Sequence, residues 1–192
     1  GIVKVSSKVL AEKEITLSVE GGQEGMTPEG VRLLPYPPAE SVDIVISSED
    51  KEFDAAILLK PKEYVIGLGC RRGKSLEEID RFIRAKLGEI GISLSQIFAL
   101  ASISQKKDEE GILLWCQKEG IDFLTYTAEE LQRVTGNFKS SAFVKDQVGV
   151  DNVCERAALN ACEKGVLIAS KYAQNGMTIA VAKREWRVCF YD

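Results

Sequence analysis

The sequence predicts an α/β protein. A three-layer α/β/α domain with a parallel or mixed sheet is expected over residues 63–192, preceded by a smaller strand-rich segment over residues 1–62. From Tyr64 onward, short buried apolar runs alternate with amphipathic stretches of helical period, whereas the first segment holds apolar runs separated by glycine, proline and charged breaks. With 192 residues, 45% of them hydrophobic, the chain is long enough to bury a full core.

The first segment is expected to contain strands and turns but no long helix. Its strand candidates are the alternating stretch EKEITLSVE, the buried run SVDIVISS and the run AAILLKP. The stretches GGQEGMTPEG and LLPYPPAE supply the turn formers.

The second segment opens with a strand, YVIGLGC, and a helix, SLEEIDRFIRAKLGEIG. The helix places four apolar residues on one face: Leu76, Ile79, Ile83 and Leu87. Ser75 and Glu78 have the spacing of a capping box, so the helix should start at Ser75.

The strand and helix alternation continues to the end of the chain. A strand, QIFALASI, precedes a helix in KKDEEGILLWCQKEG that ends at Gly120. The next strand, IDFLTY, precedes a short helix, AEELQRV, which Thr127 and Glu130 cap. After a loop, Asp151 is expected to cap a fourth helix, NVCERAALNACEK, closed by Gly165. Two strands, GVLIASKYA and MTIAVAKR, then form a hairpin through Gln-Asn-Gly.

Composition excludes several classes of function. Without histidine, this chain alone cannot assemble a Ser-His-Asp triad, a Cys-His pair or a histidine-ligated metal, and its five cysteines contain no Cys-x-x-Cys pair. We therefore predict no metal site. The net charge of −4 argues against nucleic-acid binding, and no apolar stretch approaches the roughly 18–20 residues of a membrane span. We expect a cytoplasmic protein, and the start at Gly1 suggests a processed or excised piece of a longer one.

The stretch VIGLGCRRGKS, residues 65–75, is similar to a phosphate-binding loop but does not match one. A Walker A loop needs a glycine, four residues and then Gly-Lys-Ser or Gly-Lys-Thr. Leu68 stands where the first glycine should be. The dinucleotide fingerprint fails as well, because Arg72 occupies the position of its last glycine. Both nucleotide-binding interpretations are therefore disfavoured.

Two cationic turns follow the first and second strands of the predicted sheet, each beside a helix N-terminus, where free N–H groups and the helix dipole favour an anion. The polar and cationic positions in or beside these turns are Arg71, Arg72, Lys74, Ser75, Ser102, Ser104, Lys106 and Lys107. The C-terminal ends of parallel strands meet at one sheet edge, so we expect both turns to bind one ligand with several negative groups. The alternative is that these cations are solvated or paired with the acidic first turn of the helix.

Further candidates lie on later elements. Glu155 lies on a small-residue stripe, VCERAA, where its carboxylate could act as a general base or orient another group. The alternative is a glutamate that complements the helix dipole. Lys171 lies on the following strand, and Ser141 lies in a loop that could form a lid.

Five ordered motifs give the sequence a family resemblance: VIGLGCRRGKS, ALASISQKKDEEG, LTYTAEEL, SSAFVKDQVGVDNVCERAAL and LIASKYAQNGMTIAVA. In this order and spacing they resemble the C-terminal domain of the cobalamin-biosynthesis protein CbiG, to which CobE is similar. The resemblance covers about residues 63–183, and residues 1–62 more weakly resemble the end of the CbiG central region.

The resemblance implies a role in the anaerobic pathway of cobalamin biosynthesis, namely hydrolytic opening of the ring-A lactone of cobalt-precorrin-5A with loss of acetaldehyde to give cobalt-precorrin-5B. The cobalt would arrive within the substrate, so the protein would need no cofactor of its own. The predicted partners are this corrinoid intermediate, other enzymes of the corrin pathway and a second copy of the chain in a homodimer, but neither nucleic acid nor membrane.

The motif match and the cationic turns together predict the site. Glu155 is the predicted catalytic base. The predicted substrate-binding residues are Arg71, Arg72, Gly73, Lys74, Ser75, Ser102, Lys106, Lys107, Ser141 and Lys171.

One departure from the family pattern keeps an alternative open. CbiG proteins generally carry an N-terminal portion with a Gly/His-rich segment, and nothing of that kind occurs in this sequence. If the hydrolytic group lies there, this chain binds the corrinoid without opening the lactone, as a carrier or partner subunit.

Overall fold

A computed structural model describes residues 1–135, 151–162 and 164–190. The chain divides into two compact units, and the C-terminal residues from Trp186 group with residues 1–61 rather than with residues 62–185. Each unit has its own sheet.

The helices of the described residues are α1 (Ile2–Leu10), α2 (Leu76–Glu89), α3 (Glu110–Glu119), α4 (Ala128–Arg133) and α5 (Val153–Asn160). The strands are β1 (Ile15–Val19), β2 (Gln23–Glu24), β3 (Val31–Leu34), β4 (Val42–Ile46), β5 (Ala55–Leu59), β6 (Tyr64–Cys70), β7 (Ile97–Ile103), β8 (Asp122–Tyr126), β9 (Val166–Gln174), β10 (Met177–Lys183) and β11 (Val188–Cys189). Within this described part, no helix combines the length and apolar character needed to cross a bilayer.

The first unit is built on a parallel sheet with the strand order β3-β1-β4-β5, and β2 pairs with β11 beside it. This segment begins with a short helix of nine residues, α1, which the expectation of strands and turns did not include. Val5 of α1 is buried, and Lys8 Nζ lies 2.7 Å from a carboxylate oxygen of Asp43, which is 3% exposed. Tertiary contacts thus stabilise a helix whose β-branched residues favour a strand.

The second unit contains a mixed five-stranded sheet with the order β8-β7-β6-β10-β9. β6, β7 and β8 are parallel, whereas β10 runs antiparallel to both β6 and β9. The hairpin predicted at Gln-Asn-Gly is confirmed, since Asn175 and Gly176 adopt φ values of +49° and +74° between β9 and β10. Positive φ at both central residues is what a two-residue type I′ turn requires.

Helices cover both faces of this sheet, which confirms the predicted three-layer α/β/α architecture. On one face, Ile79 and Ile83 of α2 and Trp115 of α3 pack in a common core with strand residues such as Ile66. On the other face, a second core holds residues of α4 and α5: Leu131, Ala157 and Ala158.

The α5 layer approaches the sheet closely because β6 has a glycine beneath it. A Cβ atom on Gly67 would overlap the carbonyl oxygen of Cys154 and would lie 3.0 Å from the Cβ atom of Ala158. The small residues of the VCERAA stripe therefore let this helix pack directly on the strand backbone.

Both predicted ends of the fourth helix were wrong. The N-cap is Asn152, in the left-handed conformation at φ +48°, and not Asp151, whose carboxylate pairs with Arg156 at 2.9 Å. The helix ends at Asn160 and does not continue to the predicted end at Lys164, which itself has a left-handed backbone at φ +54°.

Candidate functional site

The turn between β6 and α2 presents two arginines at the C-terminal edge of the sheet. Gly73, at φ +77°, lets the chain reverse, and the Arg71 N–H donates to the Gly176 carbonyl at 2.9 Å. Arg71 and Arg72 are exposed, and their guanidinium groups form no hydrogen bond or ion pair with any residue that the structure describes. Among the described residues, nothing thus keeps either guanidinium group from an anion in solution.

The next two residues of this turn are engaged at the start of α2. Lys74 Nζ forms an ion pair with Glu78 Oε1 at 2.7 Å. The capping box predicted from Ser75 is confirmed, since Ser75 Oγ accepts from the Glu78 N–H and Glu78 Oε2 accepts from the Ser75 N–H. For Lys74, the alternative that the cation is paired with the acidic first turn is what the structure shows.

The turn between β7 and α3 contains the second pair of predicted cations. Ser104–Lys106 form a single 3₁₀ turn, and Lys106 Nζ lies 3.2 Å from Glu109 Oε1. The side chains of both partners of this ion pair are only about an eighth exposed, at 13% and 12%. Lys107 is exposed and has no side-chain partner within the described ranges.

One carboxylate connects the two turns. The second oxygen of Glu109, Oε2, accepts from the Gly73 N–H at 3.2 Å. The turns also pack together, because a Cβ atom on Gly111 would overlap the Lys74 carbonyl oxygen. The structure therefore brings the two cationic turns to one place at the sheet edge.

Ser102 lies inside the sheet and not at the surface of this edge. Its side chain is fully buried, and its hydroxyl donates to the Leu68 carbonyl at 2.6 Å. The hydroxyl proton of Ser102 thus forms a hydrogen bond that links β7 to β6.

Glu155 is buried on α5 with both carboxylate oxygens occupied. It is 2% exposed; Oε1 accepts from the Lys171 backbone N–H at 2.6 Å and Oε2 accepts from the Asn152 side-chain amide. Among the described residues, no hydrogen bond or ion pair joins Glu155 to the cationic turns. Through these contacts the carboxylate holds the Lys171 backbone and the Asn152 side chain in place. The role of Glu155 as a general base stays a prediction.

The Lys171 N–H is free for this contact because β9 contains a bulge. Ile179 of β10 faces Tyr172 and Val181 faces Ala169, so two residues of β9 lie opposite the single intervening residue of β10. A bulge leaves a ladder N–H unpaired, and Glu155 accepts its hydrogen bond. Lys171 therefore contacts Glu155 through its backbone, and its ammonium group forms no hydrogen bond or ion pair with any residue described.

The cysteines near the site are neutral thiols at physiological pH. Burial raises the pKa of Cys70, at the end of β6, although the Lys106 ammonium opposes the shift. Burial raises the pKa of Cys154 on α5 to about 11. Because the thiolate is the nucleophilic form, neither side chain is activated for covalent catalysis.

The remaining site predictions have different outcomes. Ser141 and the proposed lid lie outside the described residues. In the described ranges, no group of three or more cysteine and carboxylate side chains could hold a metal ion. Glu109 and Asn152 were not predicted from the sequence. The sequence contains a signal for Asn152, which stands three residues before Glu155 in the spacing of a capping box. It contains no signal for the contact of Glu109 with the other turn.

The fold and the site define a class of protein: a three-layer α/β domain that gathers cations at the C-terminal edge of its parallel strands, where such folds bind small ligands. Residues 64–182 match the protein family described as "Cobalamin synthesis G C-terminus". The chain belongs to this family, which confirms the resemblance drawn from the motifs.

Relatives with known names or structures agree with this membership. The chain is 30% identical over 198 residues to a cobalt-precorrin-5A hydrolase from Priestia megaterium, covering 94% of this chain and 53% of the relative. The crystal structure of CobE, a protein from the cobalamin biosynthetic pathway, matches 64% of this chain and 91% of its own chain, with a TM-score of 0.58 and 30% identity. A cobalamin biosynthesis protein G homologue from Sulfolobus solfataricus matches 96% of this chain and 55% of its own, with a TM-score of 0.54 and 25% identity.

Coverage differs between these relatives. The chain spans about half the length of the Priestia megaterium hydrolase and of the Sulfolobus solfataricus homologue, whereas the CobE structure is matched almost entirely. The CobE structure matches 64% of this chain, a share of similar size to the family match at residues 64–182.

Proposed function

We propose that this chain binds cobalt-precorrin-5A and takes part in opening its ring-A lactone, with loss of acetaldehyde to give cobalt-precorrin-5B. The proposal is carried by one observation on this member of the family. At the sheet edge, three cations are exposed and unpaired among the described residues: Arg71, Arg72 and Lys107. A corrinoid intermediate carries many acetate and propionate carboxylates, and arginine binds a carboxylate through two parallel hydrogen bonds.

The cations of the edge have two different roles in this proposal. Arg71, Arg72 and Lys107 bind carboxylates of the macrocycle directly. Lys74 and Ser75 support them by fixing the turn and the first turn of α2. Cobalt belongs to the substrate, so the protein contributes charge and shape and supplies no metal of its own.

Hydrolysis requires a group that takes a proton from water as it attacks the lactone carbonyl. Glu155 is the proposed candidate on this chain, because it is a carboxylate that lies within one of the five motifs. Each of its oxygens accepts one hydrogen bond and retains a further lone pair, but the side chain is only 2% exposed. In this proposal, water reaches Glu155 only when the bound macrocycle rearranges the surrounding side chains.

Acetaldehyde release tests the proposal. The purified chain is mixed with cobalt-precorrin-5A, acetaldehyde is measured through its reduction by alcohol dehydrogenase and NADH, and the corrinoid spectrum of the same sample reports binding. The proposal predicts saturable binding and one acetaldehyde for each corrinoid consumed. A chain that neither binds the corrinoid nor releases acetaldehyde would contradict it.

A second candidate function is a corrinoid carrier or partner subunit without hydrolytic activity. The match to the CobE structure favours it, because CobE is covered over 91% of its own chain, whereas the cobalt-precorrin-5A hydrolase from Priestia megaterium is covered over only 53%. This candidate predicts saturable binding of cobalt-precorrin-5A and no acetaldehyde at any enzyme concentration.

We further propose that the chain acts in the cytoplasm together with other enzymes of the corrin pathway. The homodimer predicted from the sequence stays a prediction, and light scattering of the purified chain at several concentrations would test it.

A further inference from the structure

Glu109 places a carboxylate of the protein itself at the sheet edge that is expected to bind ligand carboxylates. Its oxygens accept from the Gly73 N–H and from Lys106 Nζ, both at 3.2 Å. We define the Gly73 N–H and the Lys106 ammonium as the carboxylate cradle. Arg71 and Arg72 precede Gly73 in the same turn, and Lys107 follows Lys106. The cradle thus lies among the exposed cations of the edge.

The geometry of Glu109 indicates a weak attachment. Charge-assisted hydrogen bonds are typically about 2.7–2.9 Å long, so 3.2 Å lies beyond the strong range. The neighbouring ion pair of Lys74 with Glu78 is shorter, at 2.7 Å. Two long contacts hold the Glu109 carboxylate, whereas a 2.7 Å ion pair and a capping box hold Glu78.

The helix that carries Glu109 does not depend on its carboxylate. Glu109 is the N-cap residue of α3, but its side chain makes no capping hydrogen bond to that helix. The Glu109 backbone carbonyl accepts from the Ile112 and Leu113 N–H groups, and these bonds remain if the side chain turns away. The carboxylate can therefore leave the cradle without loss of a helix cap.

We propose that Glu109 is a built-in occupant of the carboxylate cradle, and that a carboxylate of the ligand displaces it on binding. The inference rests on the proposed function for the ligand class, a polycarboxylate. One carboxylate replaces another, so the Gly73 N–H and the Lys106 ammonium keep an acceptor throughout. Glu109 then lowers affinity for polycarboxylates and favours those that also engage Arg71 and Arg72.

Binding of benzenehexacarboxylate, a polycarboxylate without corrin or cobalt, tests this proposal separately from the hydrolytic activity. Glu109→Gln removes the competing charge and releases Lys106, so we expect this variant to bind the probe about tenfold more tightly than the wild type in isothermal titration calorimetry. Glu110→Gln is the matched control, because it removes the same charge from the exposed neighbouring residue of α3. We expect it to change the dissociation constant by less than about threefold.

A second substitution tests whether the tighter binding of the probe comes from the carboxylate cradle. In the Glu109→Gln background, Lys106→Gln should abolish the gain in affinity, since it removes the cation that Glu109 had occupied. Equal or weaker binding of the probe by Glu109→Gln, or no binding by any variant, would overturn the proposal. An equal gain in Glu110→Gln would overturn it too, because the effect would then be a general loss of negative charge. Acetaldehyde release by the wild type reports on the proposed function alone and is unaffected by these outcomes.

Discussion

Replacing Glu155 distinguishes a role in the fold from a role in the chemistry. The carboxylate accepts from the Lys171 N–H and from the Asn152 amide, and Glu155 and Asn152 are 2% and 1% exposed. Glu155→Gln offers one oxygen to these two donors and turns an NH₂ group toward the other. One hydrogen bond is lost and one buried donor is left without a partner, which should lower the free energy of unfolding by about 2 kcal/mol.

Glu155→Ala should cost about 4 kcal/mol, because both donors then lack an acceptor. The assay is urea unfolding at pH 7, followed by Trp115 fluorescence in a Trp186→Phe background, so that the signal comes from the second unit alone. With an m-value of about 2 kcal/mol per molar urea, the midpoint of Glu155→Gln should fall by about 1 M.

Glu77→Gln is the matched control, since Glu77 is an exposed glutamate in the first turn of α2. It should change the free energy of unfolding by less than about 0.5 kcal/mol. An unfolding midpoint of Glu155→Gln equal to that of the wild type would refute the structural reasoning. If acetaldehyde release were lost at the same time, the general-base role would be favoured.

Three further predictions concern packing, a cation and a carboxylate. Gly67→Ala should lower the free energy of unfolding by about 3 kcal/mol in the same assay, because the new methyl group overlaps the Cys154 carbonyl; an unchanged midpoint would contradict this. Arg156→Ala should cost about 3 kcal/mol in urea unfolding, because Arg156 donates to two carbonyls at the end of α4, and Arg156→Lys should recover only part of the loss. Burial alone would raise the pKa of Asp43, but hydrogen bonds, chiefly from Lys8, hold this pKa below its usual value. The ionised carboxylate therefore stabilises the fold fully above about pH 4, and this stabilisation is lost as the pH falls through the lower pKa of the folded state. The thermal unfolding temperature of the wild type should therefore fall as the pH is lowered below about 4, with a smaller decrease in Asp43→Asn.

Local sequence signals were sufficient for much of the second unit. Capping boxes depend on residues three positions apart, so Ser75 and Thr127 marked helix starts that the structure confirms. The Asn175-Gly176 pair fixed the hairpin because few other residues adopt positive φ. Strand and helix alternation then implied the three layers.

Features that depend on distant residues were not predicted. α1 is stabilised by the ion pair of Lys8 with Asp43, 35 residues away. The bulge in β9 frees the Lys171 N–H, which donates to Glu155 on a different element, 16 residues away.

In the candidate site, too, features set by residues close in sequence could be predicted, whereas contacts between distant residues could not. The cations and their turns were readable from the chain, since they follow apolar strands and precede helix starts. Which cations remain available was only partly readable, because the pair of Lys106 with Glu109 is local, but the contact of the same carboxylate with Gly73 joins residues 36 positions apart. Hydrogen-bond partners of buried polar groups, such as Ser102 with the Leu68 carbonyl, likewise depend on strand register.

The central claim is that exposed cations at the sheet edge bind the carboxylates of a cobalt-corrinoid, and a spectral titration of cobalt-precorrin-5A tests it most directly. The double variant Arg71→Gln with Arg72→Gln is compared with the wild type, and Arg81→Gln, an exposed position of α2, is the matched control. If each arginine contributes about 1.5 kcal/mol through a charge-assisted hydrogen bond, the dissociation constant of the double variant should rise about a hundredfold. The control should bind like the wild type. An unchanged dissociation constant in the double variant would contradict the account.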